Sequence, residues 1–290
     1  MNYSSQEFSE FLQKIPGFEK LSPTEINHLL SKQQALRYRL GQKIIGKEQL
    51  PERIVIVYQG KVRLLGYHPQ SQLPITLKML EPGAVIGEIS YLRQIACETA
   101  IASTEVICLT WNPVDYLSVF SQNSDFGKER QEENHIIEVF DVISHHVAQK
   151  AYGNLNLKDI TRDILPESKI QYLPPGKTPL DQLESDRTWF VSSGQITNFP
   201  VNSQILSSNN REVLQVTGKS PARLLGISSQ VLLLLEQQEN RELEKIEDPW
   251  ETKDVIDIPF ATKGEFSPQE NKKSKIQKKT TEISFFWGAR

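Results

Sequence analysis

Apolar residues fall at helical spacing at the two ends of the first 150 positions and at a period of two between them. Ser22-Pro23-Thr24-Glu25 is a capping box with proline at the first helical position, and Ile26, Leu29 and Leu30 follow on one face. From Arg37 the period falls to two. The runs "ERIVIVYQGKVRLLGY" (52–67), "LPITLKML" (73–80) and "TEVICLTW" (104–111) are rich in β-branched and aromatic residues. Glycines and prolines break them at short intervals, which predicts the strands of a small barrel or sandwich. Helical spacing returns at Asn112-Pro113. One further helix is predicted from about Ser124, with Ile136, Val139, Phe140, Ile143 and Val147 on its apolar stripe.

The pattern then starts again. "SKIQYLPPGKTPLDQLESDRTWFVSSGQITNF" (168–199) lies on "QALRYRLGQKIIGKEQLPERIVIVYQGKVRLL" (34–65), pairing Gly41 with Gly176 and Gly60 with Gly194 at offsets of 135 and 134. "STEVICLT" (103–110) matches "SSQVLLLL" (228–235) at an offset of 125, so the second copy is about nine residues shorter after its second glycine. Order and period both repeat, which predicts two copies of one β-roll. The expected organisation is a first domain over 1–150, a degenerate second over 155–236, and a linker over 237–290.

The linker follows from a change in composition. Residues 236–257 hold nine acidic and three basic residues, "NKKSKIQKK" (271–279) holds five lysines, and few apolar anchors lie among them. The whole chain of 290 residues has a net charge of −3, which argues against a dedicated binder of nucleic acid or anionic membranes. No apolar run approaches ~18 residues, so no membrane span is expected in this chain. The start "MNYSSQEFSE" lacks the basic and apolar regions of a signal peptide. Two cysteines, Cys97 and Cys108, make no disulfide framework, and a cytoplasmic location is expected.

The segment "GAVIGEISYLRQIACETAIAST" (83–104) carries the candidate chemistry. With "IPGFEKLSPTE", Gly41, Gly60, "LEPGAVIGEIS" and "ASTEVICL", it resembles the cyclic nucleotide-binding domain family over residues 15–150, and 155–236 follows only in outline. The resemblance implies a mainly β fold of jelly-roll type with flanking helices, in tandem. It also implies a phosphate-binding turn, where backbone N–H groups at a helix start face an anion. Carried over, Gly87 and Ile89 would supply backbone donors, Glu88 would meet the ribose 2′-hydroxyl, and Ser90 would add its hydroxyl. The family's phosphate-neutralising arginine falls on Cys97. A hydrogen bond to a charged group is worth roughly 1.5–3 kcal/mol and a bidentate arginine makes two, so its loss weakens binding by about tenfold to a few hundredfold. Glu98 adds a charge of the wrong sign, and Arg93 is the nearest substitute cation. No cofactor is therefore expected, and cyclic nucleotide binding should be weak.

Other motifs carry less. "TGKS" (217–220) lacks the first glycine of a Walker motif, with Val213 in its place, and Pro221 stands where a helix should start. His145 and His146 point about 100° apart on a helix and cannot share a metal. His135 and His145, beside Glu138 and Asp141, read as surface pairs. No catalytic constellation emerges, so the chain is expected to be non-enzymatic. The closing "SFFWGAR" after a lysine-rich linker is similar to the N-terminal region of peptidase-domain-containing ABC exporters of cyanobacterial type. That resemblance implies a regulatory or docking region of a type I secretion exporter at the cytosolic face of the inner membrane. Its partners would be the other exporter domains or a secretion substrate. The alternatives are a free-standing sensor of a cyclic nucleotide or other anion, a homodimer among its forms, and a transcription regulator, which should carry a basic recognition helix after the long helix.

Overall fold

The computed structural model describes residues 4–149, 156–205 and 213–234. Helices α1 (Ser5–Leu12) and α2 (Pro23–Ser31) open the chain, each with a complete capping box. Ser4 and Ser22 accept from the N–H of Glu7 and Glu25, whose carboxylates return to the serine N–H groups at 2.7 Å. Donors that the helix cannot satisfy itself are thereby paired.

Six strands follow: β1 (Gln34–Tyr38), β2 (Lys43–Ile45), β3 (Ile54–Gln59), β4 (Val62–Tyr67), β5 (Pro74–Leu80) and β6 (Val85–Ile86). The short helix α3 (Glu88–Arg93) separates them from β7 (Thr99–Ala102) and β8 (Val106–Trp111). The eight strands make two antiparallel sheets ordered β1-β8-β3-β6 and β2-β7-β4-β5, a roll of two facing sheets. β3 and β8 are buried on both faces, as the strand period of two allows. Val55, Val57, Val106 and Cys108 fill the roll, while Ile54, Ile56, Leu109 and Trp111 meet Leu12, Phe18, Ile26 and Leu29 of the N-terminal helical layer. The Trp111 indole N–H donates to the Leu29 carbonyl at 2.8 Å, so the ring is buried with its polar atom paired.

α4 (Pro113–Gln122) begins at the expected Asn112 cap, whose side chain accepts from Val114 N–H. The single helix expected from about Ser124 is two, α5 (Ser124–Glu132) and α6 (Ile136–Gln149). Glu133, with extended backbone, ends α5, and the apolar stripe begins only at Ile136. α6 is buried along its length, including the polar residues Glu138, Ser144 and His146.

The second half comprises α7 (Leu157–Ile164), β9 (Lys169–Leu173), β10 (Gly176–Pro179), β11 (Arg187–Ser193), β12 (Val213–Val216) and β13 (Ala222–Ser228). Its sheets are ordered β11-β13-β9 and β10-β12, which follow the pairings β3-β8-β1 and β2-β7 of the first roll. Gly41 and Gly176 both have positive φ (80° and 108°), as do Gly60 and Gly194 (95° and 94°). A Cβ at Gly60 would stand 2.3 Å from the Glu105 carbonyl oxygen, and one at Gly194 would stand 2.7 Å from Ala222 Cα. Both glycines therefore pass tightly beneath the start of the last strand, and neither tolerates a side chain.

This correspondence corrects the alignment of the last strands. The counterpart of β8 is β13, and residues 229–234, read as strand from their aliphatic content, are helical. Val106 and Ala222 take equivalent places, an offset of 116, so the second half is shorter by about eighteen residues and not nine. The β6 pairing Val55↔Ile86 is matched by a bridge Phe190↔Gln204, which places most of the loss at the β4–β5 hairpin. The two halves share one core: Ile137, Val139, Phe140 and Ile143 of α6 cluster with Val57 and Leu64 on one side and with Phe190, Leu225 and Ile227 on the other. Among the described residues no helix is long and apolar enough to cross a membrane. The expected linker 237–290, with its lysine run and "FFWGAR", lies outside the described residues.

Candidate functional site

The candidate seat is the turn from β6 into α3. Gly87 takes φ +93°, and a Cβ on it would approach the Arg53 carbonyl oxygen to 3.0 Å, so the turn requires glycine. α3 ends after six residues at Gln94, which is itself left-handed, and the chain returns through Cys97 and Glu98 to β7. Gly87, Glu88, Ile89, Ser90, Cys97 and Glu98 are thus brought together, and all the side chains among them are buried.

The seat is already filled. Ser90 Oγ donates to Glu98 Oε2 at 2.9 Å, and the nearby Gly87 and Ser90 amides favour the charged form of the same carboxyl group. Burial raises the Glu98 pKa to about 7, against the pull of these donors, and the nearby Glu88 adds to the rise. A tethered carboxylate therefore lies on the groups that the family resemblance assigns to a phosphate. Cys97 Sγ is 3.6 Å from Ser90 Oγ, and burial pushes the thiol up to about 12, so it brings no charge of either sign at neutral pH.

Glu88 is committed elsewhere. Arg130 of α5 reaches it through Nε and Nη2, each at 3.0 Å, and the Tyr116 hydroxyl of α4 donates at 2.7 Å. Arg130 also pairs with Glu133. The carboxylate expected to meet a ribose instead joins α3 to α4 and α5 within the protein.

The expectation that Arg93 substitutes for the missing cation is corrected. Its side chain is buried and leaves the seat, donating to Asp141 Oδ2 at 2.7 Å on α6 and to the Ser192 carbonyl at 3.2 and 3.3 Å on β11. Asn202 Oδ1 is a further acceptor at 3.4 Å. All three nitrogens of the guanidinium are used, because α3 packs against the second half at this end.

Beside Arg93 lies a second buried network. Arg223 of β13 donates to Glu138 of α6 at 2.8 and 2.9 Å, and both side chains are 0% exposed. The remaining Arg223 donors go to Tyr172 Oη and to the Gln131 and Glu133 carbonyls, and Ser192 Oγ donates to Glu138. Hydrogen bonds from Arg223 hold the Glu138 carboxyl below its usual range although burial opposes this. The reading of His135, Glu138 and Asp141 as surface groups is thereby corrected, since the second half covers that face of α6. His146 packs edge-on against Phe190 at 5.4 Å. No metal-binding cluster occurs among the described residues. "TGKS" forms a turn between β12 and β13 with no helix after it.

Between the first roll and the segment that joins α5 to α6 lies a cavity of about 260 Å³. Leu64, Leu80, Val85 and Ile89 line its apolar part, and Glu98, Asn134 and His135 its polar part. Sequence reasoning marked Glu98 only as a charge of the wrong sign. It missed Tyr116, Arg130, Asp141 and Ser192, which lie 28 to 99 positions from their partners and belong to no local motif.

A family model described as "Cyclic nucleotide-binding domain" matches residues 35–123. The chain is 35% identical over 107 residues to the cyclic AMP receptor protein of Thermus thermophilus, a stretch that is 36% of this chain and 48% of that protein. The chain thus spans about half the length of that curated relative. Similar solved structures include the catabolite activator protein of Thermus thermophilus, at 25% identity and TM-score 0.35, covering 47% of this chain and 60% of that one. The regulatory domain of Toxoplasma gondii PKA with cAMP covers 85% of this chain and 97% of its own at 10% identity and TM-score 0.39. Residues 35–123, under half of the chain, are thus similar to the cyclic nucleotide-binding domain.

Proposed function

We propose that this chain is a non-enzymatic regulatory and docking module whose first nucleotide seat is held by its own Glu98 and not by a cyclic nucleotide. The observation that carries this reading is the Ser90–Glu98 hydrogen bond at 2.9 Å within the turn that opens α3. A phosphate there would have to displace the Glu98 carboxyl group from the Ser90 hydroxyl and would find the neutral Cys97 thiol where the family places a guanidinium, and the ionised fraction of Glu98 would repel it. Calorimetry with cAMP and cGMP should give no saturation at micromolar ligand, and a sub-micromolar Kd would sink the reading. The double variant Cys97→Arg/Glu98→Ser should gain about tenfold to a few hundredfold in cAMP affinity, as a bidentate cation replaces the plug.

The finer setting proposed for the module is the N-terminal region of a peptidase-domain-containing ABC exporter, supported by the sequence likeness at "SFFWGAR". Deleting the two rolls from such a protein should change secretion of its substrate and leave the ATPase active. The likeness to the cyclic AMP receptor protein favours a transcription regulator instead. Against that reading, α6 leads into α7 and the strands of the second half, where a DNA-reading helix would be needed. The apolar residues of α6 are also buried within the chain, so a homodimer would have to use another surface.

A further inference from the structure

We infer that the cavity beside the first roll takes a small, phosphate-free ligand that donates hydrogen bonds, of the amino-substituted heterocycle class. The inference rests on the reading that Glu98 fills the seat, and it concerns the space that this plug leaves.

Its polar lining offers acceptors where a phosphate site needs donors. Glu98 contributes a carboxyl group. Asn134 is oriented by its own amide: Nδ2 donates to the Ser168 carbonyl at 2.7 Å, which fixes Oδ1 on the opposite side, buried and unpaired. His135 Nε2 is likewise buried without a partner, and burial keeps the imidazole neutral by lowering its pKa to about 3, so in the tautomer protonated at Nδ1 it is a further acceptor. A buried polar atom left unpaired is destabilising by about 1–3 kcal/mol, so a ligand that donates to these atoms gains what the free protein lacks. The nearby cations are not available to an anion. Arg130 is taken by Glu88 and Glu133, and Lys78 lies exposed at the rim with Glu133 facing it.

Size and walls narrow the class. At about 260 Å³ the cavity falls just under the roughly 300–1,000 Å³ of pockets that hold drug-sized molecules. Leu64, Leu80, Val85 and Ile89 suit the faces of a flat ring, while its amino edge meets the acceptors.

Calorimetry and thermal shift with the intact chain test this, using adenosine, purine riboside (which lacks the exocyclic amine) and cAMP as probes. Adenosine should bind and raise the midpoint, since a ligand bound only by the native state stabilises it. Purine riboside should bind about tenfold more weakly, and cAMP more weakly than adenosine. Asn134→Leu and His135→Ala should each lower adenosine affinity by about tenfold with circular dichroism unchanged, and two substitutions guard against one that misfolds. Equal binding of adenosine and purine riboside would overturn the donor assignment. Absence of binding by all three probes would overturn the inference while leaving the plugged seat standing. cAMP binding tighter than adenosine would overturn both.

Discussion

The two rolls differ in what they have kept. The first has eight strands and the helix α3, and the polar groups of its candidate seat are paired within the protein: Glu88 with Arg130 and Tyr116, Glu98 with Ser90, Arg93 with Asp141. The second, among the described residues, has only the isolated bridges of Ile196 to Phe199 and Val216 where β4 and β5 stand in the first, and its buried Arg223 holds Glu138 of α6. In both, buried charged side chains connect elements of the same chain. A polar group with an internal partner joins parts of the fold and is not free to meet a ligand.

Four experiments test the difference between the two halves. The largest effect should come from Arg223→Met, which leaves Glu138 buried and unpaired. Breaking a fully buried pair costs about 3–5 kcal/mol, and urea unfolding should show a loss of that size. Adding Glu138→Leu should recover most of it, because two apolar residues replace the pair together.

Next is Arg93→Ala, which removes the hydrogen bonds from α3 to the second half. We expect a loss of about 1.5–3 kcal/mol. It should fall below that for Arg223 because Asp141, 28% exposed, can hydrate once its partner is gone. Hydrogen exchange should report faster opening at β11 than at β3.

Gly60→Ala and Gly194→Ala form a matched pair. Each places a Cβ against the start of a last strand at positive φ, so each should cost more than about 1 kcal/mol. A second substitution that is neutral would mean that the repeated turn is not under the same constraint.

The fourth test is a pH slope. Glu98 has its pKa raised from 4.5 to about 7, so the folded state holds the proton more tightly than the unfolded chain. The stability it contributes is fully present below about pH 4.5 and is lost as pH rises to about 7. Relative to Glu98→Gln, the wild type should therefore lose thermal stability steadily across that window. A flat difference in melting temperature would show that Glu98 is not held in the buried seat.

Much of the first roll was legible in the sequence because its signals are local. Ser22 to Glu25, Asn112-Pro113 and Gly87-Glu88 each specify a turn or a cap within four residues, and the strands between them alternate clearly. The seat was legible as a position, and Cys97 as a departure from the pattern. What escaped was the partner of each polar group. Ser192 lies 99 positions from Arg93, and Arg223 lies 85 from Glu138, so no spacing rule links them. The last strand of the second half was misplaced for a different reason: Val231 to Leu235 form an aliphatic run that reads equally as strand or buried helix, while β13 contains Gly226 lying under the Trp189 ring.

The shared core has a consequence in time. During synthesis the first roll emerges before α6 has its cover, because Phe190, Leu225 and Ile227 are made some 50 to 85 residues after Ile143. At about 5–20 residues per second, the apolar side of α6 meant for the second half stays bare for several seconds on each ribosome. A nascent chain stalled with α6 clear of the ribosome and β11 still to emerge should therefore present a sticky helix to chaperones, whereas one from which β13 has also emerged should not.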